Sequence, residues 1–442
     1  MMRTMLRTML RTMTRPSLRA FPIVALVLAL GAPRAVWAQA SPGDVRIDLQ
    51  TGAAARLPLR CEPLTPAGDR SGREGSVLAD EVLAADLQNS AVFAVARSWD
   101  PAASTVTPQF VVGGKWTATG SSVKLEGELR DFPGRRPILA QEYRGPASEW
   151  RALVHRFADD IVMQISGEPG VASTRIAFVA QEGRVKELWV MDADGAGAHV
   201  LTADRSIARS PAWSPEGSLL LYTSWRGGSG PQLWVQSPEQ RKAFLVSGRP
   251  GLNTSGAYSP DGARIACTLS MDGNAEVYSL DARGGDPRRL TNSRSIDTSP
   301  SWSPTGREIA FTSDRSGNPQ VYVMDADGSN VHRLTWDVDF TDSPSWSPKG
   351  DRIAFVQRTG DGFDVWICRP DGGGAQRVVA GGASENPRWS PDGRHLVFAS
   401  NRGGSLGLWV TDLDGLAPRK LDTAGRRALS PAWSPRFAAP AR

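Results

Sequence analysis

Beyond residue 210 the chain alternates short apolar runs with polar turns rich in Gly and Pro. Residues 299–335, S-P-S-W-S-P-T-G-R-E-I-A-F-T-S-D-R-S-G-N-P-Q-V-Y-V-M-D-A-D-G-S-N-V-H-R-L-T, show one full cycle. It reads as four short strands: one around Trp302, then 309–311, 321–324 and 333–335. Ser303-Pro304-Thr305-Gly306 and Asp325-Ala326-Asp327-Gly328 are tight turns between them, and 314–319 is a longer polar loop. The marker S-P-x-W-S-P-x-G returns with its aromatic at Trp213, Tyr258, Trp302, Trp346, Trp389 and Trp433, at spacings of 45, 44, 44, 43 and 44 residues. A four-stranded unit with that period is a propeller blade.

Six markers do not make six simple units. Residues 175–178, 188–191 and 199–202 have the character of second, third and fourth strands, with no marker before them. The last marker, Ser430-Pro431-Ala432-Trp433-Ser434-Pro435, has no blade after it. The orphan strand and the missing strand complete each other, since each end would otherwise leave a row of backbone groups unpaired. The expectation is a six-bladed ring over 171–435, closed by a C-terminal strand. The unit led by Tyr258 is the least regular, with Gly256 where its neighbours carry Pro. The repeated Trp side chains are expected to pack between blades.

Ahead of the repeats the spacing changes. Residues 44–49 and 56–59 are short extended candidates. Ser76 is placed to cap a helix running to Asn89, with Leu78, Val82 and Ala85 on one face. A strand at 110–112 is expected to end at Gly113-Gly114, and Val123, Leu125, Gly127 and Leu129 alternate with charged residues in a half-exposed strand. Trp150, Leu153, Val154, Phe157, Ile161 and Val162 recur at helical steps and predict an amphipathic helix over 148–165. Strand, helix, strands, helix describe a small α/β domain over 43–166, with Gly167-Glu168-Pro169-Gly170 as its boundary. The fold class expected is therefore multidomain: a small α/β N-terminal domain followed by an all-β propeller.

Residues 1–38 change the reading of charge. They hold six arginines, an apolar stretch at 21–30 and small residues near Ala38 and Ala40, the three parts of a cleaved export signal. The apolar stretch is well short of the roughly 20 residues that span a bilayer. The R-T-M repeat makes the basic region long, so the start could be an internal Met such as Met9 or Met13. Without these residues the formal charge falls from +5 to −1, which removes the argument for nucleic acid or an anionic membrane surface. Cys61, Cys267 and Cys368 match no metal or redox spacing and read as buried thiols.

Catalytic and ligand motifs fail on context. Gly403-Gly404-Ser405-Leu406-Gly407 has the G-x-S-x-G form, but it falls in a blade loop and no His follows it. The D-A-D-G turns at Asp192 and Asp325 lack the further ligands of a calcium loop. No catalytic residue, cofactor site or metal site is assigned.

The repeats resemble the W-S-P-D-G propellers of several bacterial families. Export signal, α/β domain and six-bladed propeller together are similar to the TolB family of the Tol-Pal envelope system. Asp44-Val45-Arg46-Ile47, the run V-L-A-A-D-L-Q-N-S-A-V-F from Val82 to Phe93, Val111-Val112-Gly113-Gly114 and Thr174-Arg175-Ile176-Ala177-Phe178 carry that resemblance, which covers nearly all of 44–435. Residues 60–75 depart from the family pattern, and Cys61 is unexpected there. The resemblance implies a periplasmic, non-enzymatic adaptor. Its propeller would bind the lipoprotein Pal and its mature N-terminus TolA, maintaining outer-membrane integrity and supporting division; other outer-membrane proteins and colicins are further candidate partners. The connections 204–209, 250–255, 292–298, 337–342 and 382–386 should open on one face of the ring. Of the candidate rim residues, Asp297, Asp342 and Glu385 come from those connections, while comparison with the family's loops puts Asn253, Thr298 and their neighbours, Thr254 among them, at the Pal-binding rim; the resemblance also puts Asp44, Val45, Arg46 and Ile47 in the TolA segment. Two rival readings remain. One is a propeller that binds glycan or peptidoglycan. The other is the propeller of a hydrolase, which would need a catalytic domain that the sequence after Pro435 does not supply.

Overall fold

The computed structural model describes residues 56–68, 70–100, 107–240, 242–360, 362–413 and 418–437. The expected leader and the segment Asp44, Val45, Arg46 and Ile47 lie outside them. The α/β region is built from β1 (Leu57–Cys61), β2 (Thr65–Gly68), α1 (Arg70–Asn89), β3 (Phe93–Arg97), β4 (Phe110–Thr119), β5 (Ser122–Asp131), β6 (Pro137–Pro146) and α2 (Trp150–Ser166). The sheet order is β3-β1-β4-β5-β6, with β2 pairing on β4. Leu83, Leu87 and Phe157 from the helices meet Leu59, Phe93, Trp116 and Leu125 from the sheet in one core.

The second helix lies where its periodicity put it, within the ordinary uncertainty of a helix end. The first does not. It begins at Arg70, so Ser76 sits inside it and bonds the Arg73 carbonyl at 2.9 Å instead of capping. Its buried face carries Ala79, Leu83, Ala84 and Leu87, while Leu78 is 56% exposed. The sheet decides which stripe of a weakly amphipathic helix faces inward. Gly113-Gly114 likewise do not end β4, because pairing with Glu128 and Gly127 of β5 carries the strand on to Thr119.

The remainder forms six four-stranded sheets. Five are continuous in sequence, at 208–247, 253–289, 297–333, 341–379 and 384–420. The other joins Arg175–Glu182, Val185–Asp192 and His199–Val200 to the strand Arg427–Trp433, which pairs antiparallel with Arg175–Glu182 from Arg427↔Gln181 to Trp433↔Ile176. The ring is thus closed by the strand that the marker count left over. Second strands such as Ile309-Ala310-Phe311 are buried on both faces, since each blade packs against two others.

The marker aromatics tie blade to blade. The indole N–H of Trp213 donates to the Ala432 carbonyl at 3.1 Å, that of Trp302 to Ala257 at 3.3 Å, and that of Trp389 to Ser345 at 2.9 Å. Gly256 replaces Pro because a Cβ there would stand 2.5 Å from the Leu221 side chain of the preceding blade. The D-A-D-G turns have a similar cause. Gly328, at φ +91°, lies against the preceding blade, where a Cβ would approach the Leu290 carbonyl oxygen to 2.3 Å.

Candidate partner-binding rim

In each blade the first and second strands meet at the W-S-P turn, and so do the third and fourth at theirs. These turns share one face of the ring. The second-to-third hairpins and the connections between blades share the other. The α/β region packs on the turn face: Glu168 pairs with Lys349 at 3.0 Å and Arg394 at 3.4 Å, Arg151 with Asp194, and Arg56 with Asp412. Among the described residues the loop face has no such cover.

The base of the loop face is a repeated polar frame. Glu276, fully buried, accepts hydrogen bonds from the Thr291 hydroxyl at 2.6 Å, the Ser293 N–H at 2.9 Å and the Arg289 guanidinium at 2.8 Å. Burial opposes its charge, but these donors outweigh it and hold the carboxyl below its ordinary value. Gln320 does the same one blade on, accepting from Thr335 at 2.7 Å and donating to the Val338 carbonyl at 2.9 Å. Asp364 accepts the Gly381 N–H at 2.8 Å, and Glu187 the Arg205 N–H at 2.6 Å. In four of the six blades the third strand therefore anchors the connection that leaves its own blade.

Two of the six expected rim residues belong to this frame. Asn253 is 1% exposed; its side-chain oxygen accepts from Ser247 and the Arg249 N–H, and its amide donates to the Arg249 carbonyl at 2.7 Å. Asp297 is 0% exposed and pairs with Arg315 at 2.8 Å. Burial keeps its carboxyl above the ordinary value, against a Ser313 hydrogen bond and Arg315. Both were expected on the rim and lie inside it, because the start of each first strand is wrapped by its own connection.

The other four share one register position. Thr254, Thr298, Asp342 and Glu385 each lie four residues before their marker aromatic, and Arg209 and Leu429 complete the ring. Thr254 touches Thr223 of the preceding blade at 3.4 Å, and Asp342 accepts from Thr312 of the preceding blade at 2.8 Å. Glu385 and Arg209 are exposed. The next residue in every blade takes a left-handed conformation: Ser210, Ser255, Ser299, Ser343, Asn386 and Ser430, with φ between 47° and 56°. The ladder slips at the same place in each blade. Such bulges re-aim side chains, and their repetition builds the channel wall.

Sequence reading missed the apolar part of the rim. Six residues before the marker aromatic the blades carry Ile207, Leu252, Ile296, Phe340, Ala383 and Arg427. Leu252 is 42% exposed and Ile296 52%, and Trp336 in the next connection is 64% exposed. Their backbones are pinned by the neighbouring hairpins: Leu252 N–H donates to Ser270 Oγ at 2.7 Å, Ile296 N–H to Asp314 Oδ1 at 2.8 Å, and Ala383 N–H to Asn401 Oδ1 at 2.8 Å. The Ile207 and Phe340 carbonyls accept from Trp225 and Arg358 at 3.1 Å. Apolar side chains on a fixed backbone make a surface organised before any partner arrives. The recurrence of I, L, I and F at one offset was the available signal.

Other chemistry resolves into structure. Gly403 and Ser405 face each other across a β-hairpin, with no strand-to-helix elbow. All three cysteines are free and buried, and burial pushes their thiols up to about 12. A cluster unforeseen from sequence joins the two regions: His155 Nδ1 lies 2.6 Å from Asp86, and its Nε2 4.0 Å from Asp194, which also holds Arg151. The three groups could reach one cation, but Arg151 already neutralises Asp194 there. No helix of the described residues is long and apolar enough to cross a membrane.

A family model described as the TolB beta propeller domain matches residues 162–437. A Protein TolB homolog from Chlorobium chlorochromatii is 36% identical over 212 residues, 48% of each chain, so the match spans about half that relative's length. The Tol-Pal system protein TolB of Anaeromyxobacter dehalogenans is 37% identical over 292 residues, 62% of this chain and 67% of that one. The crystal structure of TolB from Acinetobacter baumannii superposes with a TM-score of 0.76 at 27% identity, covering 86% of this chain and 98% of that one. With its propeller matched from end to end, the chain belongs to the TolB family.

Proposed function

We propose that this chain is a periplasmic adaptor without catalytic chemistry, delivered by a cleaved leader, whose loop-face rim binds the lipoprotein Pal. The observation that carries this reading is the rim itself: exposed Leu252 and Ile296 on a hydrogen-bonded backbone, beside the polar ring of Thr254, Thr298, Asp342 and Glu385. Apolar anchors with a polar surround are the anatomy of a protein interface. Asn253 and Asp297 act from beneath, by holding the connections in place. The segment of Asp44, Val45, Arg46 and Ile47 engages TolA, so that the protein links two partners, maintains outer-membrane integrity and supports envelope constriction at division.

Calorimetry with purified Pal tests the rim. Ile296→Asp is expected to weaken binding by about 30-fold or more, the loss of one interface anchor of about 2 kcal/mol. Thr298→Arg combined with Asp342→Lys should weaken it as strongly. Unchanged affinity in both variants would put Pal elsewhere. Deleting residues 41–49 should abolish TolA binding and leave Pal binding intact; retained TolA binding refutes the second assignment.

A further inference from the structure

The propeller channel holds a second feature, deeper than the rim. Between the ring of bulges and the ring of W-S-P turns lies a cavity of about 380 Å³, within the size range of small-molecule sites. Its wall is made largely of Ser hydroxyls, Pro rings and the marker aromatics, and among the described residues Arg388 is the only charged side chain on it. The residue immediately before the marker aromatic is Ala212, Ala257, Ser301, Ser345 and Ala432 in the other blades. Five small residues leave the space and one arginine enters it.

The Arg388 guanidinium is poorly satisfied. Its Nη1 donates to the Pro387 carbonyl at 3.0 Å, and no carboxylate among the described residues lies within ion-pairing distance. Burial pushes its pKa down to about 10, with Asp342 opposing the shift from too far away to pair. The Asp342 Oδ1 already accepts from Thr312 and from the Ser343 N–H.

We propose that this cavity is a binding site for a singly charged carboxylate with a compact apolar body, held by the Arg388 fork. A planar guanidinium matches a carboxylate in two parallel hydrogen bonds. One guanidinium balances one negative charge, whereas a dianion would bring in an uncompensated charge. Trp edges and Pro rings suit an apolar body. The carboxylate could belong to a free small molecule or to an acidic side chain of a polypeptide segment entering the channel.

The test uses the full chain, with benzoate as the probe and benzamide as its neutral match, by calorimetry and thermal shift. Benzoate is expected to bind and benzamide to bind at least tenfold more weakly. Arg388→Ala should lower benzoate affinity at least tenfold without lowering the melting temperature, since alanine is the resident residue in three other blades. Arg388→Lys keeps the charge and loses the fork, so it should fall between the two. A short alanine peptide bearing one glutamate, against its glutamine version, separates the sources. Displacement of benzoate by the glutamate peptide alone identifies a polypeptide carboxylate, and no displacement identifies a free one. Absence of benzoate binding, equal binding of benzamide, or undiminished binding by Arg388→Ala overturns the proposal.

Discussion

Replacing Trp433 by alanine should open the propeller at its seam. This residue ends the strand Arg427–Trp433 and is 8% exposed, with its N–H donating to the Thr174 hydroxyl at 2.8 Å and its ring beside His395. Truncating a buried Trp costs about 3–5 kcal/mol, cavity included. The Thr174 hydroxyl keeps the Val171 carbonyl as its acceptor, so no orphaned donor adds to that figure. Against a typical total of about 5–15 kcal/mol the loss is large. With a urea slope near 3 kcal/mol per molar, the midpoint should fall by about 1–2 M. Far-UV circular dichroism is the appropriate signal, because the substitution removes a fluorophore. The location of the loss matters as much as its size. The seam pairs residues about 250 positions apart, so opening it frees the edge of Arg175–Glu182, where amide hydrogen exchange should accelerate before other blades respond. A midpoint that moves by less than about 0.3 M, well under the cost of burying one large side chain, would refute this account. Uniform exchange across all blades would refute the local opening.

Three further perturbations probe other parts of the molecule. Gly328→Ala must hold a φ of +91° with its Cβ 2.3 Å from the Leu290 carbonyl oxygen, and should cost about 2 kcal/mol or more in a thermal melt; a neutral result would show that the turn can shift. Asp80 and Asp159 are pushed up to about 6 by burial, despite backbone hydrogen bonds to both. The native state therefore holds these protons more tightly than the unfolded chain, whose carboxyls titrate near 3.9, so their contribution to stability falls as pH rises from about 4 to about 6. Asp159→Asn should flatten that fall in urea midpoints taken across the window, and an unchanged slope would exclude Asp159 as its source. Asp194→Asn removes the counter-charge of Arg151 at the junction of the two regions and should cost about 1–2 kcal/mol for a partly exposed pair. Faster proteolysis between residues 167 and 170 would report the loosened junction, and unchanged cleavage would argue against it.

The architecture was legible because its causes are local and repeated. A W-S-P-x-G turn led by a buried or half-buried aromatic recurs every 43 to 45 residues, and the unpaired halves at the two ends imply closure. The helix α2 was legible for the same reason, since six apolar residues at helical steps leave one choice of face. Where no local rule chooses, the reading went astray. The face of α1 was set by the sheet, and Gly113-Gly114 were carried through a strand by their partner β5.

The candidate sites lie mostly on the other side of that line. Thr254, Thr298, Asp342 and Glu385 were named one by one, but only the ring makes them neighbours. Asn253 and Asp297 are as polar as any rim residue, and nothing in their identity says that their own connections bury them. Ile296 and Leu252 read as ordinary apolar residues until the hairpins beside them fix their backbones and leave their side chains outside. By itself the sequence determined the blade, its number and its closure, because turn chemistry and strand pairing act over a few residues. Only the tertiary structure decided that Arg388 stands alone in a cavity walled by six blades and that Asp194 meets His155, because those contacts join residues that share no local pattern.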